Sequence, residues 1–427
     1  MKTTGRRVAV TGLGLITPCG TGVEKSWAAI LGGRSGVRAI TRFDASRCDS
    51  RIAGEVPDFT LEDFIDRKES RRMDRFQHFA VAAAEMAWKD SGYQITPHNA
   101  DRVATIVGSG MGGLASLEET HRKALEQGPS RVSPFFMLQM LSNLAPGYIS
   151  MRFGAKGPNW ATSSACSSGA HAIGEAMRGI QRGQFDAAFA GGTEAPITLM
   201  GIAGFAAMKA LSRRNEEPAR ASRPFDSGRD GFVLAEGAGV LFLEELESAQ
   251  SRGARVYAEL IGYGASADAY HVTTPAPRHQ GAQRCMRAAL QDAGIRPSEV
   301  GYLNAHGTST PAGDSLEAEG IEDVFGEHIQ QMPVSSTKSM TGHMNGAAGS
   351  AEAVISILAM TRGIVPPTIN LEHQDPSVHL DCVPNRARNH LASTVMSNSF
   401  GFGGTNVSLI FRSVSPFSNQ VKGPSTP

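Results

Sequence analysis

Apolar and polar positions fall into short β-like runs separated by longer stretches of helical period. Arg7 to Ile16 is rich in Val and Leu and ends among glycines, which predicts a buried strand running into a tight turn. From Asp58 to Asp90 the period is helical, and a second strand, Val103 to Val107, runs into Gly-Ser-Gly-Met-Gly-Gly113. Further on, Ala170, Ile173, Met177 and Ile180 recur at helical spacing and Gly183 closes the run as a C-cap, so a helix is predicted to start near Cys166. Strands follow at Phe185 to Ala190, ending in a Gly-Gly turn, and around Val240 to Leu243. The pattern then restarts. Arg255 to Gly264 resembles the opening strand with its terminal glycines, a helix runs from Gly281 to Ala293, and a strand spans Val300 to Asn304. Val334 to Lys338 leads through Thr341 to Gly349 into a helix with Ala351, Val354, Ile355 and Leu358 on one face, and strands at Thr394 to Ser397 and Val407 to Ile410 end the series. This is an approximate internal duplication of alternating strands and helices, and it predicts mixed α/β layers. If the halves correspond, the helix after His343 is the counterpart of the helix after Cys166, and both N-termini face a shared centre. The tail from Ser413, rich in Ser, Pro, Asn and Gln, reads as disordered.

Composition narrows the partners. The 427 residues can bury a large core, as one domain or two to three. Lys plus Arg equals Asp plus Glu at 41 each, so no global field favours nucleic acid or an anionic membrane surface, and a charged partner must be met by a local patch. One candidate patch is Lys68, Arg71 and Arg72, spaced to share a helix face; its alternative is an ordinary solvated surface. The five cysteines are odd in number and widely spaced, which argues against a disulfide framework or a zinc knuckle and for a reducing, cytoplasmic setting. The first residues show no continuous apolar signal region, and no window reaches the ~20 apolar residues of a membrane-spanning helix.

Candidate chemistry centres on Cys166. It lies between a turn of small polar residues and the start of a helix, where Ser163, Ser164 and Ser167 offer capping oxygens and the free N–H groups carry roughly half a positive charge, favouring thiolate. A buried structural cysteine is the alternative, but such a residue gains nothing from a turn small enough for a substrate to approach the sulfur. Of the twelve histidines, His306 and His343 stand at strand ends among Gly, Thr and Ser, where α/β folds place sites, and Lys338 precedes the second. A cysteine with two histidines and a lysine supports acyl transfer, the histidines donating to developing oxyanions. His171 is five positions along the helix from Cys166, turned about 140° away, and is rejected as a partner. No HxxxH, HExxH or carboxylate cluster points to a metal. Two other readings belong to different classes. Gly108 to Gly113 matches GxGxxG after a strand, but the acidic residue expected about 20 positions on falls in the loop-like Glu126 to Arg131, which counts against a dinucleotide site. A Cys–His thiol hydrolase would need an orienting Asn or Asp.

The runs SSACSSG, NAHGTSTPAGD, VSSTKSMTGHMNGAAG and NSFGFGGTN, with SRPFDSGRDGF between them, resemble the β-ketoacyl-acyl-carrier-protein synthases of fatty-acid synthesis, nearest to the synthase II type, from Arg6 to about Arg412. The resemblance implies the thiolase fold, two βαβαβαββ halves in a five-layer αβαβα sandwich. Residues 1–254 would form the half carrying the nucleophile and cap insertions, and 255–412 the half carrying the histidines. It implies a homodimer without a cofactor of its own, the 4'-phosphopantetheine arriving on the carrier protein. Matched position by position, it implies Cys166 as acyl acceptor, His306 and His343 as the pair that promotes malonyl decarboxylation, and Lys338 supported by Glu352. It implies an oxyanion hole from the N–H groups of Cys166 and Phe402, and Phe402 as a gate facing Asp268 and His271. Thr308, Thr310 and Thr273 would line the pantetheine tunnel, Met111, Phe136 and Phe205 the acyl pocket, and Lys68, Arg71, Arg72, Arg131 and Lys209 the carrier-docking face. The elbow reads Ser-Ala-Cys-Ser-Ser-Gly where the family usually has Thr-Ala-Cys-Thr/Ala-Ser-Gly, Trp160 stands where a β-branched aliphatic is common, and Met111 replaces a typical isoleucine. A polyketide-type ketosynthase is the alternative within the same fold.

Overall fold

The computed structural model describes residues 5–414, so all but the first two residues of the tail from Ser413 lie outside the described residues. Ten strands carry the architecture. The first half contributes β1 (Val8–Thr17), β2 (Val103–Gly108), β3 (Asn159–Trp160), β4 (Ala187–Glu194) and β5 (Gly237–Glu245). The second contributes β6 (Ala258–Ala267), β7 (Tyr302–Asn304), β8 (Val334–Ser335), β9 (Thr394–Gly401) and β10 (Thr405–Arg412). Their spatial orders are β3-β2-β4-β5-β1 and β8-β7-β9-β10-β6. In each, the first three strands are parallel and the next pairs antiparallel with both neighbours. One order and one set of directions occur twice, which is the duplication read from the periodicity. A two-residue ladder, Ala9 with Glu259 and Val10 with Ala258, links β1 to β6.

Helices supply the other three layers. α1 (Arg75–Ser91) covers the outer face of the first sheet, followed in the chain by α2 (Leu114–Gln127), α3 (Ser168–Gln181) and α4 (Leu199–Ala207). In the second half, α5 (Gln280–Ala293) covers the outer face of β6 and β10, α6 (Pro311–Phe325) packs on α5, and α7 is Ala348–Arg362. Between the sheets α3 meets β2, β4 and β10, α7 meets β5 and β9, and the two helices pack on each other. Three cores follow: a central one around Ile173, Met177, Val354 and Leu358, and outer ones around Phe76, Phe79 and Phe189 and around Met286, Leu290 and Met396. The expectation of one apolar face on α7 is corrected here, since every residue from Ala348 to Met360 is buried. A helix with a sheet on each side needs an apolar surface all round.

Glycines expected in turns lie inside strands instead. A Cβ at Gly12 or Gly14 would come within 1.9 Å of the Ala87 or Ala83 carbonyl oxygen of α1. In β6 a Cβ at Gly264 or Gly262 would come within 2.0 or 2.6 Å of the Cys285 or Ala289 oxygen of α5, the same device repeated. The supposed Gly-Gly turn is likewise the middle of β4, where a Cβ on Gly192 would lie 2.3 Å from the Gly346 oxygen. Helical period from Asp58 to Asp90 breaks into a turn at Arg67–Ser70, capped by Asp66, and α1, whose capping box joins Asp74 to Gln77. Lys68, Arg71 and Arg72 therefore do not share a continuous helix face.

Candidate active site

Cys166 sits in the turn from β3 to α3, just ahead of the helix, which begins at Ser168 rather than at the cysteine. Ala165 before it is held at φ 50, a left-handed conformation that a non-glycine residue adopts only where its surroundings impose it. The serines impose it, not by capping. Ser168 Oγ accepts from the Ser164 N–H (2.9 Å) and donates to the Ala165 oxygen (2.7 Å), while Ser167 Oγ reaches the Ser399 and Thr405 oxygens of the second half (3.0 and 3.1 Å). Ser164 Oγ pairs with His171 Nδ1 at 2.7 Å, which keeps that imidazole occupied. The surroundings act on the thiol in both directions. Burial pushes the Cys166 thiol up to about 12, against the pull of Lys338 and of the N–H groups of Phe402 and of Cys166 itself.

The second half brings the imidazoles. His343 Nε2 lies 2.9 Å from Cys166 Sγ, and the His306 ring stands edge-on to His343 with centroids 5.4 Å apart. Burial, then the Lys338 charge, holds both histidines well below the usual imidazole range, so both are neutral at neutral pH. Each Nδ1 is buried and, among the described residues, without a partner. An orphan N–H is costlier than an orphan acceptor, so the proton belongs on Nε2, facing the sulfur in the case of His343. Lys338 and Glu352, each 1% exposed, form a buried ion pair beneath them. Burial pushes the Glu352 carboxyl up to about 7, with Lys338 opposing.

Two carboxylates missing from the sequence reading hold the loops. Glu317 accepts from the His306 N–H (2.7 Å) and the Gly307 N–H (2.6 Å), fixing the strand end that carries His306. Glu194 accepts from Ser109 Oγ (2.8 Å) and from the N–H groups of Gly110 (2.7 Å), Met111 (3.1 Å) and Gly346 (2.9 Å). The GxGxxG turn thus spends its N–H groups on an internal carboxylate, which removes the dinucleotide reading. No local signal marked either glutamate, because each meets its donors only through the tertiary fold.

A cavity of about 360 Å³ connects these groups, lined among others by Cys166, His306, His343, Thr308, Thr310 and Phe402. Two family models match the chain in succession, the β-ketoacyl synthase N-terminal domain over residues 5–249 and the C-terminal domain over 257–372. The chain belongs to the β-ketoacyl synthase family. A 3-oxoacyl-[acyl-carrier-protein] synthase 2 of Coxiella burnetii is 52% identical over 409 residues, 96% of this chain and 99% of that protein. The ishigamide ketosynthase/chain length factor superposes with TM-score 0.90 at 37% identity, covering 96% of this chain and 100% of that one. A type II polyketide ketosynthase, solved with its acyl-carrier protein and bound to a hexaketide, gives 0.89 at 34% identity over the same shares. The fold is the thiolase fold, five layers deep.

In this β-ketoacyl synthase the two loops at the mouth are bolted together. Gly403 donates to the Val272 oxygen, Asp268 N–H to the Gly404 oxygen, and Asn406 Nδ2 to Asp268 Oδ1, each at 2.7 Å. His271 Nδ1 accepts from the Thr273 and Thr274 N–H groups, and Phe402 lies 6.4 Å from Phe205. Asp268, His271, Thr273, Phe205 and Lys209 all line the cavity, but Met111 and Phe136 do not. They belong to the turn after β2 and the short helix Phe136–Met140, beyond the Cys166 turn. Lys68, Arg71, Arg72, Arg131 and Lys209 are exposed, and Arg72 lies over the Phe135 ring at 5.3 Å. Among the described residues no helix is long and apolar enough to cross a membrane.

Proposed function

We propose that this synthase condenses malonyl-acyl-carrier protein with an acyl chain held on Cys166, giving CO₂ and a 3-oxoacyl-carrier protein two carbons longer, in fatty-acid elongation. The carrying observation is a thiol 2.9 Å from one buried neutral imidazole, with a second imidazole beside it in the same cavity. Cys166 Sγ attacks the acyl thioester; its C–S bond to the carrier breaks and the thiol proton ends on the departing pantetheine sulfur. In the second half-reaction the bond from the malonyl Cα to its carboxylate breaks, CO₂ leaves, and the electron pair moves onto the thioester oxygen as an enolate. The Nε2–H groups of His306 and His343 stabilise that oxygen, and the Lys338 ammonium adds charge without contact. The enolate carbon attacks the acyl carbonyl, whose oxyanion accepts from the N–H groups of Cys166 and Phe402. Collapse expels the Cys166 thiolate, which takes up a proton.

The carrier protein is acidic to match the exposed Lys68, Arg71, Arg72, Arg131 and Lys209, and its arm passes Thr308, Thr310 and Thr273. No cofactor of the protein's own enters the scheme. Met111 and Phe136 line the acyl end of the channel, beyond Cys166: a Cβ on Gly110 would lie 3.6 Å from the Ala165 oxygen, so the Met111 turn abuts the nucleophile turn. The protein works as a dimer of identical chains. α2 has no buried residue, Leu117, Leu125, Met137 and Leu141 are exposed, and β3 is an edge strand. A polyketide ketosynthase is the second reading, supported by the superposition on a type II polyketide ketosynthase, but 52% identity to a 3-oxoacyl-[acyl-carrier-protein] synthase 2 over nearly the whole of both chains favours the first. Incubation with acyl- and malonyl-carrier protein followed by intact mass tests it: an acyl adduct on Cys166 and a product two carbons longer are expected. An adduct elsewhere, or release of free acid alone, would overturn it.

A further inference from the structure

Besides His306, His343 and the loop residue His271, the cavity has a fourth imidazole. His279 lines it with Cys166, His306 and His343 and is itself only 3% exposed. Its ring stands edge-on to Phe400 with centroids 4.7 Å apart, and the same Phe400 lies 5.6 Å from His306, so the two histidines flank one phenylalanine. Behind it α6 closes in at Gly320, where a Cβ would lie 3.3 Å from His279 Cβ. Nδ1 is sealed without a partner, while Nε2 is neither sealed nor hydrogen-bonded among the described residues. Nε2 is therefore the one polar edge of the ring left for a ligand. The backbone is left-handed at both Arg278 (φ 55) and His279 (φ 48), an arrangement costly enough to need a reason. Packing against Phe400 is not that reason, because any apolar side chain supplies it without stranding a buried nitrogen.

The substrates narrow what Nε2 can meet. The loaded acyl chain is hydrocarbon and ends at Cys166, and the pantetheine arm has Thr308 and Thr310. With the malonyl thioester oxygen at His306 and His343, the polar group without a partner is the carboxylate at the other end of the three-carbon unit. The buried charged groups nearby are already engaged, Lys338 by Glu352, Glu317 by two backbone N–H groups, and Asp268 by Asn406 and the Ala276 N–H, while Lys209, which also lines the cavity, is exposed to solvent. We propose that His279 Nε2–H binds the carboxylate of the incoming malonyl unit and so determines specificity for the extender. The proposal rests on the condensing function above. Burial, which keeps this imidazole neutral, leaves it a hydrogen-bond donor rather than a fixed cation. A bond to the carboxylate is lost as neutral CO₂ departs, so it strengthens the Michaelis complex and not the transition state.

The test is steady-state condensation with Cys166 already acylated and malonyl-carrier protein varied. In His279→Leu, KM for malonyl-carrier protein is expected to rise about tenfold to a hundredfold, the scale of one hydrogen bond to a charged group. The kcat stays equal or rises, and acyl loading of Cys166 and the melting temperature stay as in the wild type. His279→Gln keeps an N–H at similar reach and recovers most of the KM. His279→Asn suits the left-handed backbone but is too short, and behaves as the leucine variant should that one fold poorly. Holo-carrier protein, which lacks the malonyl group, serves as competitive inhibitor, and its inhibition constant is expected not to move. An unchanged malonyl KM in both loss variants overturns the proposal, as does an equal rise in the holo-carrier constant, which would place the contact on the arm. A wild type that loads acyl groups but never condenses would instead remove the function on which the proposal rests, and the proposal with it.

Discussion

At the scale of single residues the site is a half-buried thiol beside two imidazoles held neutral. Burial dominates each of these states, and its sign differs with the group: it raises the thiol and lowers the histidines. A histidine whose folded value lies well below 6.5 keeps its neutral form as pH falls through 6.5, so decarboxylation should not lose rate there. Cys166→Gln isolates that step, because the amide oxygen can occupy the oxyanion site while no thiol remains to be acylated. The variant should not condense yet should still decarboxylate malonyl-carrier protein, at a rate level from pH 8 to below 6.5. An acid limb centred near 6.5 would show ordinary histidines, and decarboxylation lost as completely as in His306→Ala would refute the division of roles. Cys166, His306, His343 and Lys338 were legible in the sequence because each sits in a short run of small residues that has no other use. The state of the thiol was not. Helix position alone argues for a low pKa, and what opposes it is the burial of the site, which only the packed structure reveals.

Elements were legible where their period was unbroken and misread where glycine carried two meanings. Gly12, Gly14, Gly262 and Gly264 read as turn residues, yet they serve the close approach of α1 and α5 to the sheets, which only the packed structure reveals. The glycines around Phe402 have the other use. Gly403 and Gly404 are both left-handed (φ 86 and 71), and the loop hangs on three 2.7 Å bonds to the facing segment at Asp268 and Val272. Those bonds can break and reform without disturbing a strand, so the segment suits a door whose leaf is the Phe402 ring. Phe402 is only half-buried, unlike Phe400 behind it. Phe402→Ala should therefore lower the elongation rate and change the chain-length profile while moving the melting temperature by no more than a few degrees. A fully packed phenylalanine would instead cost roughly 3–5 kcal/mol on truncation. A large fall in melting temperature with an unchanged acyl profile would show core rather than gate.

At the scale of the whole molecule, duplication explains why the site exists where it does. Each half ends a strand near the central layer and starts a helix there, so the Cys166 turn before α3 and the His343 loop before α7 arrive at one centre from opposite halves. That much was visible in the repeat of the hydrophobic pattern. The outer face built by α2, the short helix Phe136–Met140 and α4 was not, because it depends on which apolar residues the fold leaves uncovered. Leu125 is 75% exposed and Met200 59%, and Glu118 of α2 accepts from the Thr198 hydroxyl and the Met200 N–H, which places the two helices side by side. Gly113 N–H donates to the Met140 oxygen, joining the short helix to the same surface. An apolar area of this kind beside an open strand edge at β3 suits a second copy, since a stable dimer buries on the order of 1,600 Å² in total. The wild type should sediment at twice the chain mass at micromolar concentration. Leu125→Arg with Met200→Arg should sediment as one chain and, because Met111 and Phe136 lie toward that face, lose elongation of long acyl chains before short ones. A wild type that sediments as a single chain, or that pairs only with a second ketosynthase-like protein, would overturn the homodimer.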